Sequence, residues 1–311
     1  MGKVPDPRID QMTLIPIEQV KGRSRAEVLP SGRQRLPSWF KVHVQQGARF
    51  KKIRETLKTQ GLHTICEEAR CPNIWECWNN QTATFLILGD ICTRRCHYCS
   101  VTTGRPDTLD AEEPERVAFA VKALGLRHAV ITSVNRDELE DGGARIFSET
   151  IRAIRRVLPT CTVEVLVPDF QGREDSVDTV LMANPDIFNH NIETVPRLFP
   201  SIRPQGKYDR SLQVLRWAKQ RRARTKSGLM VGMGETSEEV GKVLNDLRGV
   251  GCDMVSIGQY LQPTKQHHPV MQYYTPEEFH TFKQQGLAMG FRHVESGPLV
   301  RSSYHAEQQA S

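Results

Sequence analysis

The sequence predicts an α/β protein built as an open, partial (β/α)6 barrel of TIM-like design. Between residues 84 and 289, apolar runs of strand length alternate with helical stripes, and the alternation makes six units. The strand candidates are nearly continuous in apolar character, as strands buried on both faces of a parallel sheet require. Six units are too few for a closed eight-stranded barrel, so the sheet is expected to stay open. Chemistry is then expected in the loops that follow the C-terminal ends of the strands.

Residues 1–46 read as an extended arm, with Pro5, Pro7, Pro16, Pro30 and Pro37 and little periodicity. A short helix is expected over 47–58, inside a segment (47–83) that carries the first cysteines. The barrel is expected over 84–290. Its first strand is 84–88 (TFLIL). A helix over 114–124 follows, with Val117, Ala120, Val121 and Leu124 on one stripe and Gly125 closing it. Strands are then expected at 128–132 (HAVIT), 162–167 (TVEVLV), 186–189, 227–232 (SGLMVG) and 253–257 (DMVSI). Helices near 144–158, 176–183, 237–248 and 276–289, with a basic helix after 203, fill the intervals. Residues 291–311 form a C-terminal segment.

Hydrophobic residues make up 38% of the 311, enough for a packed core, and no apolar run approaches the roughly 18–20 residues that cross a bilayer. The N-terminus has no apolar signal region, and Asp6, Asp10 and Glu18 interrupt any transit-peptide pattern. A cytoplasmic chain with reduced thiols is expected, in which clustered cysteines are metal ligands and not disulfides. The formal charge of +6, from 42 basic and 36 acidic residues, does not indicate nucleic acid. Much of the excess lies in 203–226, where Arg203, Lys207, Arg210, Arg216, Lys219, Arg221, Arg222, Arg224 and Lys226 face the single acid Asp209. That stripe is either a dock for an acidic partner or a solvated helix face.

Six of the eight cysteines fall in two triplets, Cys66-x4-Cys71-x5-Cys77 and Cys92-x3-Cys96-x2-Cys99, within one 34-residue stretch. Three thiolates hold three corners of a [4Fe–4S] cluster and leave one iron free for another ligand, which suggests chemistry more than electron storage. For the second triplet zinc is the alternative, with His97 as its fourth ligand. The place of this triplet directly after the first strand, and the aromatic Tyr98 before its last cysteine, favour iron. Cys161 and Cys252 border strands and read as small buried hydrophobes. His267 and His268, in a proline-bounded loop, are given no role.

A C-x3-C-x-aromatic-C loop after the first strand of a parallel barrel resembles the radical S-adenosylmethionine superfamily. The upstream CEEARCPNIWECW, together with CTRRCHYCSVTTGRP, TSVNRDELEDGGA and GPLVRSSYHA in that order, resembles the lipoyl synthase family from about residue 47 to 305. The resemblance implies two [4Fe–4S] clusters and S-adenosylmethionine, two molecules for each lipoyl group. Cys92, Cys96 and Cys99 would hold the cofactor-cleaving cluster. Cys66, Cys71 and Cys77 would hold an auxiliary cluster completed by a serine of Arg301-Ser302-Ser303-Tyr304. Ser303 is preferred; spacing leaves Ser302 open. A serine oxygen binds iron less tightly than thiolate, and a weak corner suits a cluster that is taken apart.

The implied reaction inserts sulfur at C6 and C8 of an octanoyl chain amide-linked to a carrier lysine, with the auxiliary cluster as donor. Implied partners are octanoylated lipoyl domains or the glycine-cleavage H protein, and an electron donor such as ferredoxin or flavodoxin; neither nucleic acid nor membrane is expected. The C-terminal segment would cover the barrel mouth. Cofactor contacts are expected from Tyr98, Ser133, Asn135, Asp137, Glu164, Asn189, Asn191 and Arg203, polar groups in the cluster loop or at strand ends. The 231–235 run (VGMGE) either lets an adenine approach closely or makes a tight turn. A biotin synthase-like enzyme shares the second triplet but has no use for the first, and a two-cluster electron carrier would ligate each cluster with four cysteines.

Overall fold

The computed structural model describes residues 36–41, 47–69 and 71–306. The arm expected over 1–46 lies outside these residues except for 36–41, where the Phe40 ring meets Tyr273 edge-on at 5.6 Å. Helix α1 (Ala48–Thr59) is followed by the two-residue strand β1 (His63–Thr64) and the short helices α2 (Ile65–Glu68) and α3 (Ile74–Asn79). Thr64 caps α2 by accepting from the Glu67 amide, and Trp75 and Trp78 stack on Phe50 of α1 at 4.2 and 4.9 Å. These contacts fix the segment that bears the first triplet.

Strand β2 (Thr82–Ile87) is buried at every residue. After it come a small parallel pair, β3 (Ile91–Cys92) and β4 (Thr102–Thr103), and helix α4 (Glu113–Leu124). Pro114 starts α4 without loss of a hydrogen bond, and Gly125 ends it in the left-handed conformation, φ 59°. The chain continues through β5 (His128–Ser133), α5 (Ala144–Val157), β6 (Thr162–Leu166), α6 (Glu174–Leu181), β7 (Ile187–Asn189), the one-turn α7 (Phe199–Ile202) and α8 (Tyr208–Gln220). The last elements are β8 (Thr225–Val231), α9 (Ser237–Gly249), β9 (Met254–Gln259), α10 (Pro276–Ala288) and β10 (His293–Gly297). Reciprocal caps, Thr236 with Glu239 and Thr275 with Glu278, start α9 and α10.

The eight-stranded sheet has the order β1-β2-β5-β6-β7-β8-β9-β10, parallel throughout except for β1, which runs antiparallel on β2. β1 and β10 are its two free edges, so the barrel is open as expected. The six expected strands are all present. The seventh parallel strand, β10, corrects the reading of 291–311 as a tail alone. HVESG has one apolar residue, Val294, which is its one fully buried position; an edge strand paired only with β9 tolerates that polarity.

Part of the basic stripe is engaged within the fold. Arg221 bonds Glu174 at 2.7 Å and Asp178 at 2.9 Å, Lys219 bonds both Asp253 oxygens at 2.7 Å, and Arg210 reaches Asp169 at 3.3 Å. Arg203 and Lys226 are buried. Lys219 and Arg221 sit where α8 leads back to the start of β8, the end of the barrel opposite the strand C-termini. Three of the nine, Arg210, Lys219 and Arg221, tie α8 to its neighbours, while Lys207, Arg216 and Arg222 are exposed. No described helix is long and apolar enough to cross a membrane.

Candidate active site

The C-terminal ends of the strands surround a cavity of about 910 Å³, and all six triplet cysteines line it. The first triplet enters from α2, α3 and the turn between them; the second lies in the β2–α4 connection. Thr82, Thr84 and Leu86 of β2 alternate onto the same concave face. Burial pushes the Cys66 and Cys99 thiols up to about 12, with the neighbouring Cys71 and Cys96 adding to it. Thiolates in sets of three on one cavity wall are soft donors of the kind that hold iron–sulfur clusters. The donor set therefore fits iron better than thiol catalysis. His97, the ligand zinc would need, turns away and bonds the Ser201 carbonyl at 2.6 Å.

The C-terminal segment reaches into the cavity beside the first triplet. Thr84 lies against Cys66 and donates to Ser303 Oγ at 3.0 Å, while the Ser302 hydroxyl accepts from Asn191 Nδ2 at 2.7 Å on the β7 side. The two serines thus face different partners, and Ser303 is the one on the side of the first triplet. Further ties hold the segment: Asn73 Nδ2 to Leu299 O at 2.6 Å, Tyr304 OH to Glu76 at 3.0 Å and His305 Nε2 to Glu76 at 3.0 Å.

Arg94 locks the second cysteine loop to the two strands beyond it. Its guanidinium makes two bonds to Asp137, at 2.6 and 2.8 Å, and a third to Asp169 at 2.6 Å. Burial opposes its charge, yet the two carboxylates keep it charged. The Thr93 hydroxyl donates to Asn135 O at 2.9 Å and accepts from the Asp137 amide at 3.1 Å. The Cys92 sulfur accepts from the Arg94 and Asn135 amides at 3.4 and 3.3 Å.

Tyr98, Ser133, Asn135, Asn191 and Arg203, all expected as cofactor contacts, line the cavity. Ser133 Oγ, Asn135 Oδ1, Asn191 Oδ1 and Arg203 Nε are buried there without a hydrogen-bond partner in the protein, which fits a polar ligand bound among them. Asp137 does not line it, being taken up by Arg94. Glu164 and Asn189 lie below it: Glu164 accepts from Asn189 at 2.8 Å and pairs with Lys226 at 3.1 Å, all three fully buried. Burial pushes the Glu164 carboxyl up, but Lys226 and His128 outweigh it and hold it down. The 231–235 run forms the tight turn, with Glu235 accepting from the Gly232 and Met233 amides.

The profile of the radical S-adenosylmethionine superfamily matches residues 86–247, and that of the N-terminal domain of lipoyl synthase matches 10–71. The chain is 62% identical to a lipoyl synthase of Rubrobacter xylanophilus over 89% of this chain and 87% of the other. It is 54% identical to that of Symbiobacterium thermophilum over 98% and 93%.

The chain belongs to the lipoyl synthase family.

It is therefore a radical S-adenosylmethionine, sulfur-inserting enzyme, and at this identity the biotin synthase and electron-carrier alternatives fall away. Its fold is similar to the solved structure of HydG, a maturase of the [FeFe]-hydrogenase, with a TM-score of 0.53 at 12% identity over 85% of this chain and 74% of that one. It is also similar to Streptococcus suis SuiB bound to precursor peptide SuiA, with a TM-score of 0.54 at 11% identity over 83% and 55%.

Sequence reasoning missed three groups at the cavity. Glu193 has a left-handed backbone, φ 71°, held by two bonds to β8, its amide to Gly228 O and its carbonyl from the Met230 amide, each 2.9 Å. Burial pushes its carboxyl up, and it faces Arg203, Asn191 and Tyr98. His190 is held neutral, down to about 4, by burial and then by Arg203; its Nδ1 donates to Val167 O at 2.8 Å and leaves Nε2 bare. His267, which had been given no role, bonds Cys99 O through Nε2 at 2.9 Å, and the His268 amide bonds His97 O at 2.9 Å. The β9–α10 loop is thereby strapped to the second cysteine loop across the mouth. Only the unusual backbone of Glu193 follows a recognisable pattern, an acid just beyond a strand end; the histidine contacts are set by tertiary packing.

Proposed function

We propose that this cavity converts a protein-bound octanoyl group to a lipoyl group, inserting sulfur at C6 and C8 of a chain amide-linked to a carrier lysine. The supporting observation is that both cysteine triplets and Ser303 face one cavity of about 910 Å³. A radical source at one end and a sulfur source at the other can then act on one acyl chain held between them. Cys92, Cys96 and Cys99 would hold one [4Fe–4S] cluster, and Cys66, Cys71, Cys77 and Ser303 a second. With S-adenosylmethionine, two per lipoyl group, these groups supply the 5′-deoxyadenosyl radical and the sulfur, chemistry no side chain provides.

The chain's own residues bind and exclude water. Asn191 Oδ1 and the Glu193 carboxylate would accept from ribose hydroxyls, Ser133 and Asn135 would bond the cofactor's amino group, and Arg203 would pair its carboxylate. The half-buried Tyr98 ring, beside Cys96, would wall the second triplet from solvent. The His267 strap shields the mouth, and a site closed to water protects a radical from side reactions. Octanoylated lipoyl domains or the glycine-cleavage H protein are the proposed carriers, with a one-electron donor such as ferredoxin or flavodoxin, in the reducing cytoplasm.

Isotopic sulfur tests the reading. Enzyme reconstituted with heavy sulfide and freed of excess should give product carrying two heavy atoms, with turnover stopping near one lipoyl group per chain. Replacing Cys66, Cys71 and Cys77 by Ala should keep 5′-deoxyadenosine formation and abolish lipoyl formation. Unlabelled product in the absence of other sulfur would rule out the cluster as donor.

A further inference from the structure

Two inward positions on adjacent strands carry no side chain, and the C-terminal segment runs through the space they leave. A Cβ at Gly258 of β9 would stand 2.1 Å from the Val300 carbonyl oxygen and 3.0 Å from its carbon. A Cβ at Gly228 of β8 would stand 2.6 Å from Asn191 Oδ1 and 3.1 Å from Ser302 Oγ. Both glycines lie within the β8–β9 ladder, where Gly228 faces Ser256 and Met230 faces Gly258. Neither has the positive φ that would demand glycine for conformational reasons. A glycine inside a buried strand weakens it by about 0.5–1 kcal/mol relative to alanine, so its use there marks a place where another backbone comes close.

We propose that Gly228 and Gly258 are positioning residues for Ser303. Together they form a slot in the barrel wall that lets segment 299–303 lie directly on the sheet. That depth sets the Ser303 hydroxyl on Thr84 and beside the first triplet. The proposal rests on the reading that Ser303 completes that ligand set. The other anchors of the segment are side-chain bonds, such as Arg301 Nη1 to Gln259 O at 3.3 Å, and the Val300 amide's bond to Gly297 O at 3.1 Å, and these can re-form after a small shift. The overlap at Gly258 is backbone against Cβ and cannot be relieved without lifting the segment. Gly258 is therefore the stricter of the two, since the atoms crowding Gly228 belong to side chains.

Iron release from the first triplet tests this apart from catalysis. In a full-length background with Cys92, Cys96 and Cys99 replaced by Ala, iron reports on one site alone. There Gly258→Ala should release iron to a chelator about 10-fold faster than the parent, as loss of a supporting contact does at other metal sites. It should shift the cluster's EPR signal in the same way as Ser303→Ala. Gly228→Ala should show a smaller acceleration, and Gly241→Ala, where a Cβ meets nothing within 4 Å, none. Parent-like release and spectrum in Gly258→Ala, alongside a changed Ser303→Ala, would overturn the slot. Unchanged behaviour of Ser303→Ala would overturn the ligand assignment, and the purpose of the slot with it. If Gly258→Ala does not accumulate as folded protein, Gly228→Ala decides: acceleration supports the slot and parent-like retention overturns it.

Discussion

The Thr84 hydroxyl donates to Ser303 Oγ at 3.0 Å across 219 residues of chain, and the same threonine lies against Cys66. One small side chain on β2 therefore touches both ends of the proposed ligand set. Ser303→Cys should keep the iron of this site, because a thiolate fills the corner more tightly than an alcohol. Sulfur insertion should fall by about 10–100-fold while 5′-deoxyadenosine formation continues. Ser302→Ala should be far milder on both counts. Mass spectrometry of the carrier, with iron analysis, distinguishes the two; a Ser302→Ala defect larger than that of Ser303→Cys would reverse the assignment.

Arg94 should matter as much to the second triplet as its neighbouring cysteines. Arg94→Gln takes the guanidinium from Asp137 and leaves the fully buried Asp169 with the longer Arg210 contact at 3.3 Å, and S-adenosylmethionine cleavage is expected to drop by about 10–100-fold with loss of iron. Burial pushes the Asp169 carboxyl up, but Arg94 outweighs it and holds it at about 2, below its usual 3.8. The stabilisation from this pair is accordingly complete above the usual value and is lost as pH falls from about 4 toward 2. The gap between parent and Arg94→Gln in urea midpoint should be full at pH 7 and narrow only in that acid window.

Beneath the cavity, Lys226→Met should cost roughly 3–5 kcal/mol in urea unfolding, because it strands the buried Glu164 carboxylate. Adding Glu164→Gln should recover part of that loss. Equal stability of parent and Lys226→Met would show that the pair contributes nothing.

On the outer face, Arg221→Glu should lower stability without discriminating between substrates. Its partners Glu174 and Asp178 would then repel it. Initial rates with an octanoylated carrier domain and with a short octanoyl-lysine peptide should change by the same factor. Selective loss with the carrier domain would restore the stripe as a docking surface.

Much of the barrel was legible because its strands are long apolar runs separated by capped helices. Val163 and Val165, or Val255 and Ile257, announce burial by themselves. β10 was not legible, since an edge strand with one apolar residue looks like a loop. The cysteines of the site were legible from spacing. Asp137, Glu164 and Asn189 were expected at the cofactor because polar residues at strand ends usually face a ligand. Their actual partners, Arg94 and Lys226, come from elements 43 and 62 residues away, and no local pattern encodes such pairing. The partners of Lys219 and Arg221 were illegible for the same reason: charges on one helix say nothing of the acids that α6 and the turn before β9 bring against them.

The tethers between α3 and the C-terminal segment also bear on when the site comes into being. Asn73 meets Leu299, and Glu76 meets Tyr304 and His305, at separations of 226 to 229 residues. On a ribosome, the second cysteine loop and the strands that clamp it emerge long before residue 303. The first triplet, although translated earlier than the second, has no completed surroundings until residues 299–305 have emerged. The surroundings of the two triplets are thereby completed in order, those of the first triplet last.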